Sequence, residues 1–492
     1  MSFGEDVAML VENSENPELA KASSWERVSL GEVAEILNGY PWKSDRFGHS
    51  GVPLIRIRDV TTGRTETRYD GPLVDGYWVD RGDLLVGMDG DFNLRRWNAD
   101  RGLLNQRVCK ITANAEAYAS QFLEYALPGY LKLINDATSS VTVKHLSSRT
   151  LAEVPLPLPP AAEQHRIVAK LDALTARLTR TRAELDRVPV LAEHRHLALL
   201  RAGVTGSLTA GWRETAVCEP IADTLSRVPA PQQGRGGREA TDKVIPGTAA
   251  IAVNDPGTPL PSGWAWTPLL RVAKQETGHT PSRSKPEYWD GGVPWIGIRD
   301  AGAHHGRIIE TTMQTISEAG LANSSARMLP AGTVCLSRTA SVGYVAMMKT
   351  SMATSQDFAT WTCTEALLPE YLLYALMAEG DDIRRFGMGS THTTIYFPEI
   401  RAFHIALPPV EEQREIVARL KAALARADRM NAEAARARAL IDRLEAAILG
   451  RAFRGELVPQ DPNDEPASVL LDRIRAQRAA APKAKRGRAK AG

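Results

Sequence analysis

Residues 408–457 read PPVEEQREIVARLKAALARADRMNAEAARARALIDRLEAAILGRAFRGEL. Apolar residues recur at alternating steps of four and three: Ile416, Leu420, Ala423, Ala427, Met430, Ala434, Ala437, Ile441, Leu444 and Ile448. Arg, Lys, Glu and Asp fill the positions between. Sustained a/d spacing of this kind predicts a long helix built to lie against another helix. At about 1.5 Å per residue, roughly forty residues would span about 60 Å.

The partner is in the same chain. Residues 159–208, opening PPAAEQHRIVAKLDAL and closing LLRAGVTGSL, repeat the element at a constant offset, with Pro159 answering Pro408 and Leu208 answering Leu457. The corresponding seam is Ile167, Leu171, Leu174, Leu178, Thr181, Leu185, Val188, Ala192, Arg195 and Leu199. Register held over such a length marks one duplicated element rather than two unrelated amphipathic helices. Pro189 interrupts the first copy, and because proline lacks the helical N–H, a kink or split is expected at Val188. The alanines at 423, 427, 434 and 437 favour close approach of the paired helix and a stiff spacer.

The rest of the chain is duplicated as well. The first half carries WERVSLGEVAEILNG from Trp25, GVPLIRIRDV (51–60), GDLLVGMDGDF (82–92) and LNQRVCKI (104–111). These are followed by SQFLEYALPGYLKLI, then SVTVKHLSSRTLAEVPLPLPP. The second half answers with SGWAWTPLLRVAKQETG, GVPWIGIRDA (292–301), GTVCLSRTASVG (332–343), TSQDFATW and GSTHTTIYFPEIRAFHIALPP. The offset is 241 at the GVP stretch, 250 through the middle and 249 at the long helix, so the globular parts differ by insertions while the helices keep register. Each half reads as strand, loop, strand, helix and loop, an α+β domain. The expected organisation is an ill-ordered acidic extension (1–24), a first head (25–158), a first long helix (159–213) and a flexible linker (214–260). A second head (261–407), a second long helix (408–458) and a basic tail (459–492) complete it. If the long helices pair antiparallel, a pseudo-two-fold axis relates the heads.

Composition narrows the function. A chain of 492 residues with 43% hydrophobic residues has the length of about three globular domains. No run approaches the roughly 20 apolar residues of a membrane helix, and MSFGEDVAML lacks the order of a signal peptide, so a cytoplasmic protein without a membrane role is expected. Four cysteines without a CxxC pair suggest neither a disulfide framework nor a zinc site. Of 60 Lys/Arg and 58 Asp/Glu, eight basic and no acidic residues lie in 473–492, which leaves the first 472 residues at 52 against 58, a net of −6. A protein gripping DNA alone shows a basic footprint. If the chain binds DNA, either the basic groups are local or partner subunits provide much of the positive clamp. No phosphate loop, dinucleotide fingerprint, adenine-methylating NPPY-type motif, HExxH or GxSxG is present. The chain reads as non-catalytic, with no metal or cofactor of its own.

The tandem pattern resembles the specificity subunits of Type I restriction-modification systems. Its parts are a W-x-x-x-x-L-G head, a V-P-x-I-x-I-R-D strand, P-P-x-x-E-Q-x-x-I-V-A-[KR]-L heading a long helix, and G-x-L closing it. The resemblance covers about Trp25 to Leu457. It implies two target-recognition domains, each reading one half of a split double-stranded DNA target. The paired helices would act as spacers docking two adenine-methylating modification subunits, and restriction subunits would join that core. S-adenosylmethionine, and ATP with Mg for restriction, would then belong to the partners. Two other classes stay open: a coiled-coil scaffold with protein-binding heads, and an enzyme of unrecognised chemistry.

Direct readout uses Arg or Lys against guanine, Asn or Gln against adenine, and short polar groups on loops. In the first head these criteria select Asp89, Asp91, Asn93, Arg95 and Arg96, then Asn105 with Gln106, and Lys144 with His145. In the second they select Arg338, Thr339 and Ser341, then Ser355 with Gln356, and Ser390 with His392 and Thr393. Each has an alternative role as an exposed loop residue or turn cap.

Overall fold

The computed structural model describes residues 3–137, 145–234, 239–339, 341–388 and 393–480. The fold is α+β and duplicated. Two compact units form, one from residues 1–185 with 436–492 and the other from residues 186–435.

In the first unit an antiparallel sheet runs in the order Ala34–Asn38, Val108–Ala113, Leu84–Gly87, Leu94–Arg96. A second sheet of short strands includes the parallel pair Val52–Ile55 and Gly102–Leu104. The second unit repeats the first sheet as Ala273–Glu276, Phe358–Cys363, Val334–Ser337, Val345–Met348, with Ile308–Ile309 added at the edge. The I-R-D stretch is not strand to its end. Val52–Ile55 stops short, and Ile57–Thr62 turns into a helix because the buried Asp59 carboxylate accepts the Arg56 N–H at 2.8 Å. Asp300 does the same for Gly297 at 2.9 Å and also accepts the Met313 N–H at 2.7 Å.

The long helices are Ala161–Val204 and Val410–Phe453, of 44 residues each. The first remains helical through Pro189, contrary to the expected split. The one hydrogen bond that proline removes lies at an exposed position where water can replace it. In the first unit Ile167 and Leu171 share a core with Ala452 and Phe453, and Arg182 donates to Asp442 at 2.7 Å, an antiparallel pairing. In the second unit Leu200 and Val204 pack with Leu420 and Ile416, again antiparallel. The seam is not continuously buried. Ile167, Leu171, Leu178, Ile416, Leu420 and Ile441 are buried, whereas Leu174, Leu185, Ala423, Ala427 and Ile448 are half-buried and Met430 and Leu444 are exposed.

The P-P-x-x-E-Q motif joins each helix to its head. Gln164 is buried. Its Oε1 accepts the Ala119 N–H at 2.8 Å, and its Nε2 donates to the carbonyls of Ala117 (3.2 Å) and Pro159 (3.0 Å). Gln413 repeats all three bonds 249 residues on, with Leu368 N (2.8 Å) and the carbonyls of Ala366 (2.9 Å) and Pro408 (3.0 Å). The preceding glutamates accept tryptophan indoles: Trp25 Nε1 to Glu163 at 3.0 Å, Trp264 Nε1 to Glu412 at 2.8 Å. Beyond that the copies differ. Glu412 also accepts Thr209 Oγ1 at 2.7 Å and Arg213 Nη2 at 2.6 Å, while the same offset puts Pro462 where Arg213 stands, and Glu163 Oε1 is buried without a hydrogen bond. Burial holds the Glu163 carboxyl above its usual range.

The N-terminal extension, the basic tail and the stretch read as a linker each contribute ordered elements to the cores. The helix Phe3–Glu12 buries Val7 and Val11, and Leu19 and Ala22 follow them into the core of the first unit. Arg27 ties this segment down, donating to the Leu19 carbonyl at 2.7 Å and to Tyr130 Oη at 2.8 Å. At the other end of the chain the helix Ala467–Ala480 buries Leu470, Leu471 and Ile474 in the same core, leaving 481–492 outside the described residues. The stretch 214–260 is not a free linker. It forms the helix Ile221–Arg227 and the strand Ile251–Val253, which pairs with Phe403–Leu407. The buried Glu379 carboxylate fixes its approach by accepting the backbone N–H groups of Thr248 (2.7 Å), Ala249 (3.1 Å), Ala250 (2.9 Å) and Ile251 (3.0 Å).

The two motif glutamates respond oppositely to substitution. Glu163→Gln keeps an acceptor for Trp25 and removes a charge that burial disfavours, so it raises the melting temperature at pH 7. Because burial raises the folded pKa above the unfolded one, that gain is largest above the folded pKa and fades as pH falls and wild type takes up the proton as well. Glu412→Gln removes the buried carboxylate charge that pairs with Arg213 and lowers stability by about 3 kcal/mol. Thermal unfolding across pH checks both signs.

Candidate nucleic-acid interface

Both heads present a loop between the third and fourth strands of the first sheet, held by a side chain turned inward. In MDGDFN that side chain is Phe92, buried with a positive φ of 48°. The equivalent 250 residues on is Val342, also buried, beside Gly343 at φ 110°. A plugged tip of this kind holds its remaining side chains outward in fixed places. Asp91 and Asn93 are exposed, and Asn93 Nδ2 donates to Thr61 Oγ1 at 3.3 Å. Arg95 is exposed and donates to the Thr61 carbonyl at 2.7 Å, tying the hairpin to the end of the helix Ile57–Thr62. Arg96 points to the other face of its strand. It donates to Glu124 Oε2 at 2.7 Å and to the Gly82 carbonyl at 2.8 Å, so it is an anchor and does not join the tip.

A turn from another part of the chain comes beside this tip. Asn105 is buried, its Oδ1 accepting the Gln106 N–H at 2.7 Å, and Gln106 is exposed. Ser355 is likewise buried, donating to Asp357 Oδ2 at 3.0 Å, and Gln356 is exposed, its Oε1 accepting Thr280 Oγ1 at 2.6 Å. Asn105 and Ser355 thus build their turns while the glutamines face out. Gly39 and Gly278 permit the turns to sit there: a Cβ would come within 2.0 Å of the Asn105 carbonyl oxygen and 1.9 Å of that of Thr354.

His145 closes the group in the first head, its Nδ1 2.7 Å from Asp89 Oδ1, in a bridge between residues 89 and 145. Lys144, Ser390 and His392 lie outside the described residues. In the second head Thr339 Oγ1 donates to Asp357 Oδ1 at 2.7 Å, and Ser341 and Thr393 are half-buried. Arg338 is half-buried, with its guanidinium 4.4 Å over the Phe397 ring and Nη2 on the Gln356 carbonyl at 3.0 Å. Burial lowers its pKa from the usual arginine value.

Two arginines that the sequence reading passed over stand in the first cluster. Arg58 is 62% exposed and Arg107 is 53% exposed, with Arg107 Nη1 3.3 Å from Asp89 Oδ1. An open cavity of about 290 Å³ lies between Ile57, Arg58, Thr61, Gly87, Asp89 and Asn93. Arg107 directly follows Gln106, and Arg58 has a counterpart in Arg299, also exposed; the shared R-D pair and the Q-R dipeptide were the available signals. Among the described residues no group of three or more His, Cys, Asp or Glu is placed to hold a metal ion, and no helix is long and apolar enough to cross a membrane.

The fold is one of duplicated α+β heads, each joined to long-helix segments that pair antiparallel, with polar loop tips and turns brought together in each head. The family model for the Type I restriction modification DNA specificity domain matches twice, at residues 22–188 and 261–435. The EcoBI specificity subunit of Escherichia coli is 35% identical over 98% of both chains. The EcoKI specificity subunit of Escherichia coli K12 is 24% identical over 93% of this chain and 96% of its own. The HsdS subunit of Thermoanaerobacter tengcongensis shares the fold at TM-score 0.53 and 22% identity, covering 88% of this chain and 98% of its own. A chain from a type I R-M system gives 0.61 at 22% identity, over 89% and 99%. The chain belongs to the family of Type I restriction-modification specificity subunits.

The neighbouring arginines of the hairpin separate by role. Arg96→Ala leaves Glu124 without its partner and lowers stability by about 1–2 kcal/mol, whereas Arg95→Ala changes it by less than about 0.5 kcal/mol. Denaturant titration of the two variants checks the difference.

Proposed function

We propose that the chain is the non-catalytic DNA sequence-specificity subunit of a Type I restriction-modification complex, each head reading one half of a bipartite, asymmetric target. The observation that carries this reading is a contrast within the duplication. The glutamine latch recurs with the same three bonds, while the polar groups on the tips differ at Asp89 against Thr339 and at Arg107 against Asp357. Like frames with unlike tips suit two unlike half-sites. Arg58 and Arg299, exposed in both heads, suit the phosphate contacts common to both.

In this reading the long helices fix the half-site spacing and dock two adenine-methylating modification subunits, to which restriction subunits are added. S-adenosylmethionine, and ATP with Mg, belong to those partners. Support for docking comes from apolar side chains left open on the helices: Leu440 is 61% and Leu444 is 50% exposed, one helical turn apart. Nearer the second head a groove of about 630 Å³ runs between Val188, Leu191, Ala192, Ala423, Ala427 and Met430.

Deleting the gene in its host removes N6-methyladenine from one split, asymmetric motif in a single-molecule methylation map; an unchanged map overturns the specificity reading. Replacing Leu440 and Leu444 together by Glu weakens assembly with the modification subunit tenfold or more with little change in melting temperature. Light scattering of the mixed subunits shows whether it does.

A further inference from the structure

We infer that Arg107, oriented by Asp89, reads guanine in the half-site facing the first head, and that an exchange of donor and acceptor at the same two positions removes this contact from the second head. The inference rests on the specificity reading above and assigns a base to one side chain.

Position 89 answers 339 and position 107 answers 357, both at an offset of 250. Both pairs join the hairpin tip to the neighbouring turn. In the first head Arg107 on the turn donates to Asp89 on the tip, and in the second Thr339 on the tip donates to Asp357 on the turn. The bridge is kept and its polarity is reversed. Only the first version presents a guanidinium. Arg338, nearby in the second head, does not replace it, being half-buried over Phe397 and bonded to the Gln356 carbonyl.

The surroundings of Arg107 favour a base edge over a phosphate. Asp89 Oδ1 takes the Nδ1–H of His145 from one side at 2.7 Å and Arg107 Nη1 from the other at 3.3 Å. With its proton given to Asp89, His145 Nδ1 has no lone pair for Arg107, so the 3.5 Å separation between them is not a bond. The carboxylate therefore holds one end of the guanidinium and leaves the other donors facing outward in a plane. A carboxylate that is 26% exposed beside the contact repels a phosphate, and exposed Asp91 on the same tip adds to that. Guanine offers two neutral acceptors, O6 and N7, at the spacing an oriented guanidinium matches.

The test uses the assembled complex of specificity and modification subunits and the motif that its methylation map defines. Each guanine of the motif is replaced in turn by 7-deazaguanine, which keeps pairing and removes the N7 acceptor. Wild type loses about tenfold in affinity at one position in one half-site, and Arg107→Gln shows no loss on that replacement. The methylated motif of Arg107→Gln becomes degenerate at that base and stays intact in the other half-site, which also reports that the variant folds. Asp89→Asn gives the same change to a smaller degree. An unaltered motif in Arg107→Gln overturns the inference. So does an equal weakening at all sites with a salt slope reduced by about one, the mark of a phosphate contact. If Arg107→Gln does not assemble, the wild-type scan decides, and a scan with no responsive guanine overturns the inference. A wild-type complex with no split motif sinks the specificity reading itself, whereas a split motif with no guanine sensitive to Arg107 sinks only this assignment.

Discussion

The structure depends on a buried amide at the start of each long helix. A glutamine side chain withdrawn from water must satisfy both ends, because each unmade bond costs about 1–3 kcal/mol while each made one returns about 1 kcal/mol. Gln164 and Gln413 meet that requirement by bonding to backbone on two sides: the proline carbonyl before their own helix, and two groups in the head. These partners are backbone atoms, so side chains in the head can change without disturbing the joint. The helix is fixed to its head by a constraint indifferent to which side chains the head exposes.

The same separation operates within each head. Buried Asp59 and Asp300 start equivalent helices, and Phe92 and Val342 plug equivalent tips although their side chains differ. What a tip requires is an apolar group turned inward, and any that fits will hold the loop. The exposed positions on either side then carry no packing cost when replaced. The two copies differ there because the frame does not depend on those positions, and even half-buried Asp89 and Thr339 occupy one place with opposite hydrogen-bonding character.

These energetics also decide how much could be read without coordinates. The long helices, the duplication and the two α+β heads were legible because periodicity and repetition run over many residues. The helix Phe3–Glu12, the helix Ala467–Ala480 and the strand Ile251–Val253 were not, since none has a repeat or a long periodic pattern of its own and each packs against residues distant in sequence. Nothing local announces that Glu379 will gather the N–H groups of 248–251, or that Arg27 will hold the Leu19 carbonyl. The seam was overread for the converse reason: heptad spacing states which residues share a face, and Met430 and Leu444 share it without being covered. At the tips, residue type and loop position picked out Asn93 and Gln106, which the structure leaves exposed, and passed over Arg107, exposed beside them. They also selected Arg96, which strand alternation turns toward Glu124.

Acidic groups at the tips appear at first to oppose DNA binding, and the net of −6 over the first 472 residues extends the same difficulty to the chain. The difficulty eases once the useful quantity is taken to be the ratio of specific to non-specific affinity, since any genome offers a vast excess of wrong sites. Arginine left unpaired binds phosphate anywhere. Arginine paired with a carboxylate loses much of that indiscriminate attraction and keeps its directed donors for a matching base edge. On the proposed reading, bulk electrostatic attraction falls to the other subunits of the complex, and a specificity subunit with little net positive charge is what that division of labour requires.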